Sequence, residues 1–277
     1  MSGSSGRITS RNNPLFRELL KLAHSSHARR KSQLVLLDGP HLVEAYLSHV
    51  GMPRHLAVSE SGLESPEIAG LLRRASALEP AVIDDTLFAR LSPVATPAGI
   101  LALGAVPAMP LRPADIRFCV LLEDIQDPGN MGSILRSAAA AGADAALLSA
   151  HCAYAWSPKV LRAGMGAHFR VAIHEHVDLP AFITAFRGSV VATDAAAVTS
   201  VFDADLGGRL ALVIGNEGGG LSPVLRAAAQ HTVRIPMADG SESLNAGAAA
   251  AVCLFERVRQ LRAKGDAGSQ SAGIETE

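Results

Sequence analysis

Six short, predominantly apolar runs recur through the second half of this chain, at residues 118–122, 145–149, 169–173, 190–193, 210–214 and 232–235, two of them (118–122 and 210–214) apolar throughout, each followed by a segment long enough for a helix. A strand with one face in water alternates apolar and polar residues, whereas a strand that is apolar throughout must be covered on both faces. Six such runs with helices between them predict an α/β domain built on a largely parallel sheet. The ends of those strands, where polar and glycine residues collect, are then the places to look for a site.

The first half repeats the alternation on a smaller scale. Residues 14–23 place Leu15, Phe16, Leu19, Leu20 and Ala23 at helical spacing, and 33–37 is an apolar strand closed by Asp38-Gly39 before Pro40 opens a helix. Strands at 55–59, 81–83 and 100–103 follow, with helices starting near Pro66 and Thr86. This is a small α/β domain over residues 7–105. Pro107, Pro110 and Pro113 mark an extended connector from Gly104 to Pro113, with the linker set at 106–114. The second domain occupies 115–263, its last helix running from Leu244 to about Ala263, and the polar stretch 264–277 is expected to be a disordered tail.

With 277 residues and 48% hydrophobic content, the chain can bury a sizeable core. No apolar run approaches the roughly 20 residues that cross a bilayer, and Met1–Gly6 lacks the pattern of a signal sequence, so neither a membrane partner nor export is expected and the cytoplasm is the expected compartment. Cys119, Cys152 and Cys253 lie far apart, and the histidines His151, His168, His174 and His176 lack zinc spacing, so no metal is expected. Cys119 and Cys253 read as core residues. The formal net charge of -1 conceals a basic N-terminal block, Arg7, Arg11, Arg17, Lys21, Arg29, Arg30 and Lys31 against the acid Glu18. Such a block attracts a phosphate backbone, or is simply a solvated terminus. Aromatic residues make up 4% of the chain, too few for base stacking to dominate nucleic-acid binding.

Three loops of the second domain carry the polar residues at strand ends. One is Glu123-Asp124-Ile125-Gln126-Asp127-Pro128-Gly129-Asn130-Met131-Gly132, which leads into a helix bearing Arg136. Another is Gly215-Asn216-Glu217-Gly218-Gly219-Gly220-Leu221-Ser222-Pro223, which nearly matches a phosphate-binding P-loop but has Leu221 where the lysine must stand. No nucleoside triphosphate is expected there, and Ser222 and Pro223 predict a helix N-cap and first turn instead. The last runs from Ile235-Pro236-Met237 to Ser243-Leu244-Asn245. Taken alone, Asn130 and Ser243 read equally well as helix caps, Glu123 and Asp124 as solvated or capping acids, and Tyr154 and Trp156 as packing residues.

The ordered series Asp127-Pro128-Gly129-Asn130-x-Gly132-x-x-x-Arg136, Gly215-Asn216-Glu217-Gly218-x-Gly220-Leu221, and Ile235-Pro236-Met237 with Ser243-Leu244-Asn245 resembles the three motifs of the SpoU (TrmH) family. The stretch from Ser10-Arg11-Asn12-Asn13 to Asp38-Gly39-Pro40 is similar to the N-terminal RNA-binding domain that many members carry. The resemblance implies an RNA 2′-O-ribose methyltransferase that uses S-adenosylmethionine, forms a homodimer and has a C-terminal α/β domain tied in a trefoil knot. It implies Asn130, Arg136, Glu217, Ser243 and Asn245 as catalytic residues, and Thr193, Gly215, Asn216, Glu217, Gly220, Ile235, Met237 and Leu244 as cofactor-binding. Arg11, Arg29, Arg30 and Lys31 then bind RNA. Ribosomal RNA is the expected substrate, with transfer RNA, a methylated base, or a non-catalytic RNA-binding protein on the same scaffold as alternatives. Gly164 and Ala246-Gly247-Ala248 depart from the family pattern at positions that bear on substrate choice.

Overall fold

The computed structural model describes residues 7–92, 94, 96–216, 218–238 and 243–271, with side chains through Lys264. The chain divides into two compact units, one reaching to Ala108 and including Trp156–Arg170, the other made of Met109–Ala155 and the residues from Val171 onward.

The first unit is built on a four-stranded sheet in the order β1-β4-β2-β3, with β1 at Leu34–Asp38, β2 at His55–Ser59, β3 at Ala81–Ile83 and β4 at Ile100–Ala105. Strand β4 runs antiparallel to β1 and β2, and β2 pairs parallel with β3. Helix α1 (Pro14–His24) starts where Asn13 accepts from the amides of Leu15 and Phe16, and Pro14 stands at its first position. Its apolar face, Phe16, Leu19 and Leu22, packs against Leu34, Leu36, Leu101 and Leu103 of the sheet and Phe88 of α5 (Asp85–Phe88). Helices α3 (Pro40–His49) and α4 (Pro66–Arg74) complete the order.

Three details differ from expectation. A short helix, α2 (Ser26–Ser32), stands where none is expected, capped by Ser25 and ended by Gln33 in the left-handed region at φ 52°, so β1 starts one residue later than the apolar run suggests. Gly104 belongs to β4 instead of opening the connector; a Cβ there would lie 2.5 Å from the Tyr46 ring, so the glycine makes room for the aromatic side chain. Segment 156–170, expected within the second domain, groups with the first unit. Within it, α7 (Pro158–Gly164) is broken by Met165 and Gly166, both at positive φ, and Phe169 lies in a 3₁₀ turn, its ring edge-on to Tyr46 at 5.3 Å. The expected strand at 169–173 therefore begins only at Ala172.

The second unit holds a six-stranded, fully parallel sheet in the order β10-β8-β9-β5-β6-β7. Its strands are β5 (Phe118–Leu122), β6 (Ala145–Leu148), β7 (Ala172–His174), β8 (Ser189–Thr193), β9 (Leu210–Ile214) and β10 (His231–Val233). The central pair β5 and β9 is buried along its whole length, as unbroken apolar runs require, while the edge strands β7 and β10 are partly open. Helices α6 (Pro128–Ala140), α8 (Leu179–Ala185), α9 (Pro223–Ala228) and α10 (Ala246–Ser271) connect or follow the strands. Cys119 and Cys253 are buried, and burial pushes the Cys253 thiol up to about 12 and the Cys119 thiol higher still.

Helix α10 continues past the expected end near Ala263 to Ser271. Gln260, which donates to the Ala204 carbonyl and accepts from the Leu206 amide, and Lys264, 3.0 Å from Asp205, fasten it along this side, so the polar composition of the following turn does not end it. Among the described residues no helix is long and apolar enough to cross a membrane, and no cluster of side chains is arranged to hold a metal ion.

Candidate functional site

The parallel sheet delivers β5, β8, β9 and β10 with their carboxyl ends on one side, and the loops leaving them are held together by hydrogen bonds. After β9, the chain turns back on itself: Asn216 and Gly220 exchange backbone hydrogen bonds at 3.1 and 3.0 Å. The Asn216 side chain fixes the inside of this turn, its Oδ1 accepting from the amides of Gly218 and Gly219, both at 2.9 Å, and its Nδ2 donating to the Asp124 carbonyl at 2.8 Å. Gly215 lies so close to the returning limb that a Cβ would sit 2.5 Å from the Gly220 carbonyl carbon. Gly220 has φ +64°, which a side chain disfavours.

The end of β5 braces this turn. Glu123, whose carboxylate accepts from the Ser222 amide at 2.7 Å, holds the far limb at the start of α9, where the Ser222 hydroxyl caps the helix. Asp124 adopts φ 54° and exchanges hydrogen bonds with Ser149, its Oδ1 accepting from the hydroxyl at 2.6 Å. These acids therefore build the site, a role beyond the solvated or capping one expected. Leu221 is buried in the core cluster, which explains why the lysine of a P-loop has no place there.

A cavity of about 310 Å³ opens beside the turn. It is lined by Thr193, Gly215, Asn216, Gly220, Ile235, Met237 and Leu244, which is the expected cofactor set apart from Glu217; that residue lies outside the described residues. Ser243 also lines it. Sequence reasoning missed Asp194, Ala246 and Ala249 in the wall. Asp194 directly follows the last residue of β8 and is held by Arg226 at 3.0 Å; its place at a strand's carboxyl end is the signal that would have found it. The Thr193 hydroxyl donates to the Val213 carbonyl at 3.1 Å, tying β8 to β9, so Thr193 meets the cavity chiefly by its shape.

The caps fall on residues other than the two that read as caps in isolation. Asp127 caps α6 by accepting from the Asn130 amide at 2.7 Å, and Asn245, not Ser243, caps α10 by accepting from the Ala248 amide. The Asn130 carboxamide oxygen, not used as a cap, accepts from Asn245 Nδ2 at 2.8 Å and so joins two of the expected catalytic residues. Arg136 is exposed on α6 and is not part of the cavity wall. Six residues at 100° each set it roughly 120° around the helix from Asn130, so the two do not share one face.

Among the expected RNA-binding residues, Arg11 and Lys31 are exposed and Arg30 is half-buried, but Arg29 is 6% exposed. Its guanidinium turns inward and donates to the carbonyls of Leu22 and Ala23, which the end of α1 leaves without helical partners. Arg29 is thus corrected from an RNA contact to a cap of α1.

A parallel α/β sheet with a mixed polar and apolar cavity at the carboxyl ends of its strands, bordered by a glycine turn with Leu221 at the place of a P-loop lysine, puts the chain among α/β proteins whose cavity lies at the strand ends. Residues 117–255 match the model of the SpoU rRNA Methylase family, and the chain belongs to that family. It is 31% identical over 91% of its length to an uncharacterised tRNA/rRNA methyltransferase of Synechocystis, covering 93% of that protein. It is 32% identical to the 23S rRNA (uridine(2479)-2′-O)-methyltransferase of Streptomyces viridochromogenes, with 92% of both chains covered. The crystal structure of an AdoMet-bound rRNA methyltransferase from Sinorhizobium meliloti superposes with a TM-score of 0.80 at 26% identity, covering 92% of this chain and 98% of that one.

Proposed function

We propose that this chain methylates the ribose 2′-oxygen of ribosomal RNA with S-adenosylmethionine as donor. The observation that carries this reading is the cavity at the ends of β8, β9 and β10 together with its wall chemistry. Ile214, Val233, Ile235, Met237 and Leu244 supply apolar surface, and among the described residues the amides of Ile235, Met237 and Leu244 donate to no protein acceptor. An adenine needs this combination, apolar faces above and below and open main-chain donors at its edge. The relatives' action on ribosomal RNA supports the choice of substrate.

When bound, the donor supplies a methyl group activated by a positively charged sulfur. The protein's task is alignment, since a ribose hydroxyl is a weak nucleophile and orientation supplies much of the acceleration. Asn130 and Asn245, joined at 2.8 Å, orient the ribose at the mouth of the cavity, and Ser243 holds the neighbouring phosphate. Arg136 keeps its own proton, because a guanidinium is not deprotonated in proteins, and acts by holding an RNA phosphate beside the reacting ribose and stabilising the charge that develops on the attacking oxygen. The proton leaves the 2′-oxygen to solvent as the O–C bond forms and the S–C bond breaks. Glu217 completes the set in this reading.

The first unit recruits the RNA, with Arg11, Arg30 and Lys31 on its surface. The protein works in the cytoplasm as a homodimer, α10 presenting Phe255 and Leu261 at 48% and 42% exposure, and its second unit carries the knot that its family membership implies. Incubation with methyl-labelled donor and deproteinised ribosomal RNA, with total transfer RNA in parallel, tests the function. Digestion yields 2′-O-methylated nucleosides from ribosomal RNA; their absence overturns the reading. Arg136→Ala lowers turnover about 100-fold or more, the scale of removing one group that stabilises charge in the transition state, while donor affinity stays within twofold. Unchanged turnover removes Arg136 from the mechanism.

A further inference from the structure

A second cavity lies wholly within the first unit, between α1 and α2 over the start of β1, with a volume of about 500 Å³. Its floor is apolar, made by Leu22, Ala28 and Leu34, each less than a tenth exposed. Its rim carries Lys21, His27 and Lys31. Among the described residues neither lysine forms an ion pair, so both ammonium groups are available to a ligand. Glu18 is the acid that faces the same space.

The two rim lysines outnumber the one glutamate. Ser25 and Ser32 do not compete for a ligand by charge: the Ser25 hydroxyl caps α2, and that of Ser32 donates to the Ala28 carbonyl at 2.8 Å.

We propose that this cavity is a binding site for an unpaired nucleotide of the substrate RNA, with the base over Leu22, Ala28 and Leu34 and its flanking phosphates on Lys21 and Lys31. An apolar floor ringed by unpaired cations fits this ligand better than duplex, which would offer phosphates alone and leave the floor uncovered. The floor replaces stacking with aliphatic packing, since its residues Leu22, Ala28 and Leu34 carry no ring. The proposal rests on the reading of the protein as an RNA methyltransferase and assigns the groove that receives its substrate outside the reaction centre.

The test uses the full chain and fluorescein-labelled oligouridylate, with deproteinised ribosomal RNA as a second ligand. Lys21→Gln/Lys31→Gln weakens oligouridylate binding at least tenfold and lowers the slope of log K against log salt by about 1.4, at about 0.7 for each single-strand phosphate that the protein ceases to neutralise. Arg54→Gln/Arg73→Gln removes the same charge from exposed positions of the same unit outside the cavity and leaves both quantities within twofold. Equal weakening in the two double variants, or no weakening in the first, overturns the proposal. Ala28→Phe fills the floor without touching charge, and weaker binding at an unchanged salt slope is the outcome expected of a seated base; unchanged affinity overturns the base assignment. Calorimetric donor binding in every variant keeps the test separate from the catalytic reading, because failure of that reading shows itself as a wild-type chain that does not bind donor.

Discussion

Gly215→Ala is the sharpest probe of the donor site, because the structure fixes both the size of the insult and its control. A methyl group on Gly215 would lie 2.5 Å from the Gly220 carbonyl carbon, 2.6 Å from its oxygen and 2.7 Å from the Leu221 nitrogen. Carbon atoms in van der Waals contact sit about 3.5–4.0 Å apart, so the returning limb must retreat by about 1 Å. The limb is backbone, with no rotamer to yield, and its retreat loosens the paired hydrogen bonds between Asn216 and Gly220. Overpacking of this kind costs about 1–3 kcal/mol, and each weakened hydrogen bond adds up to about 1 kcal/mol. If the turn must return to its native shape to receive the donor, about 1.4–3 kcal/mol of that cost appears in binding, a 10- to 150-fold rise in Kd for S-adenosylmethionine or its demethylated product by calorimetry. Gly219→Ala is the control, for among the described residues its Cβ would meet nothing nearer than Asn216 Oδ1 at 3.8 Å, and its Kd stays within twofold of wild type. Donor affinity unchanged in Gly215→Ala, or lowered equally in both variants, refutes the assignment of this turn to the donor.

Glu123→Ala leaves the Ser222 amide without its carboxylate and removes a charge-assisted hydrogen bond of about 1.5–3 kcal/mol; donor affinity falls about tenfold and Glu123→Gln restores most of it, whereas equal loss in both variants assigns the effect to charge alone. Asp38 gives a pH test. Burial raises its carboxyl pKa above the ordinary value of 3.8, against the opposing Ser92 hydrogen bond and the Arg162 charge, so the native state binds this proton more tightly than the unfolded chain. Stability contributed by this group is therefore present at low pH and declines as pH rises through the native pKa. Asp38→Asn gains stability relative to wild type at pH 7–8, and urea titrations show the gain shrinking as pH falls towards 3.8; a gain that grows in acid contradicts the sign.

Much of the fold was legible because its signals are local. Unbroken apolar runs at 118–122 and 210–214 placed the two buried strands with correct ends, and Ser222-Pro223 marked the start of α9. The site was legible through its motifs, and the residues at positions 193, 215, 216, 220, 235, 237, 243 and 244 do line one cavity. What escaped depends on partners distant in sequence. Arg29 reads as a surface cation in its own helix and turns inward only because α1 ends with open carbonyls beside it. Phe169 looks like the start of a strand until Tyr46 is seen to take its ring. Asp194 carries no motif and matters because β8 ends next to β9 and β10. The angle between Asn130 and Arg136 follows from helical pitch alone and was available from their spacing.

Strand β5 has a consequence for how the chain comes to exist. One flank pairs with β6 soon after, but the other pairs with β9, where Phe118 meets Leu210 and Leu122 meets Ile214. During synthesis an entirely apolar strand edge must wait, uncovered, until most of the second unit has left the ribosome. Long-range parallel pairing of this kind folds slowly and exposes sticky intermediates. Truncation before β9 should therefore yield aggregate in place of a smaller soluble domain, and yield in cells should depend on chaperone supply more than on the final stability of the native state.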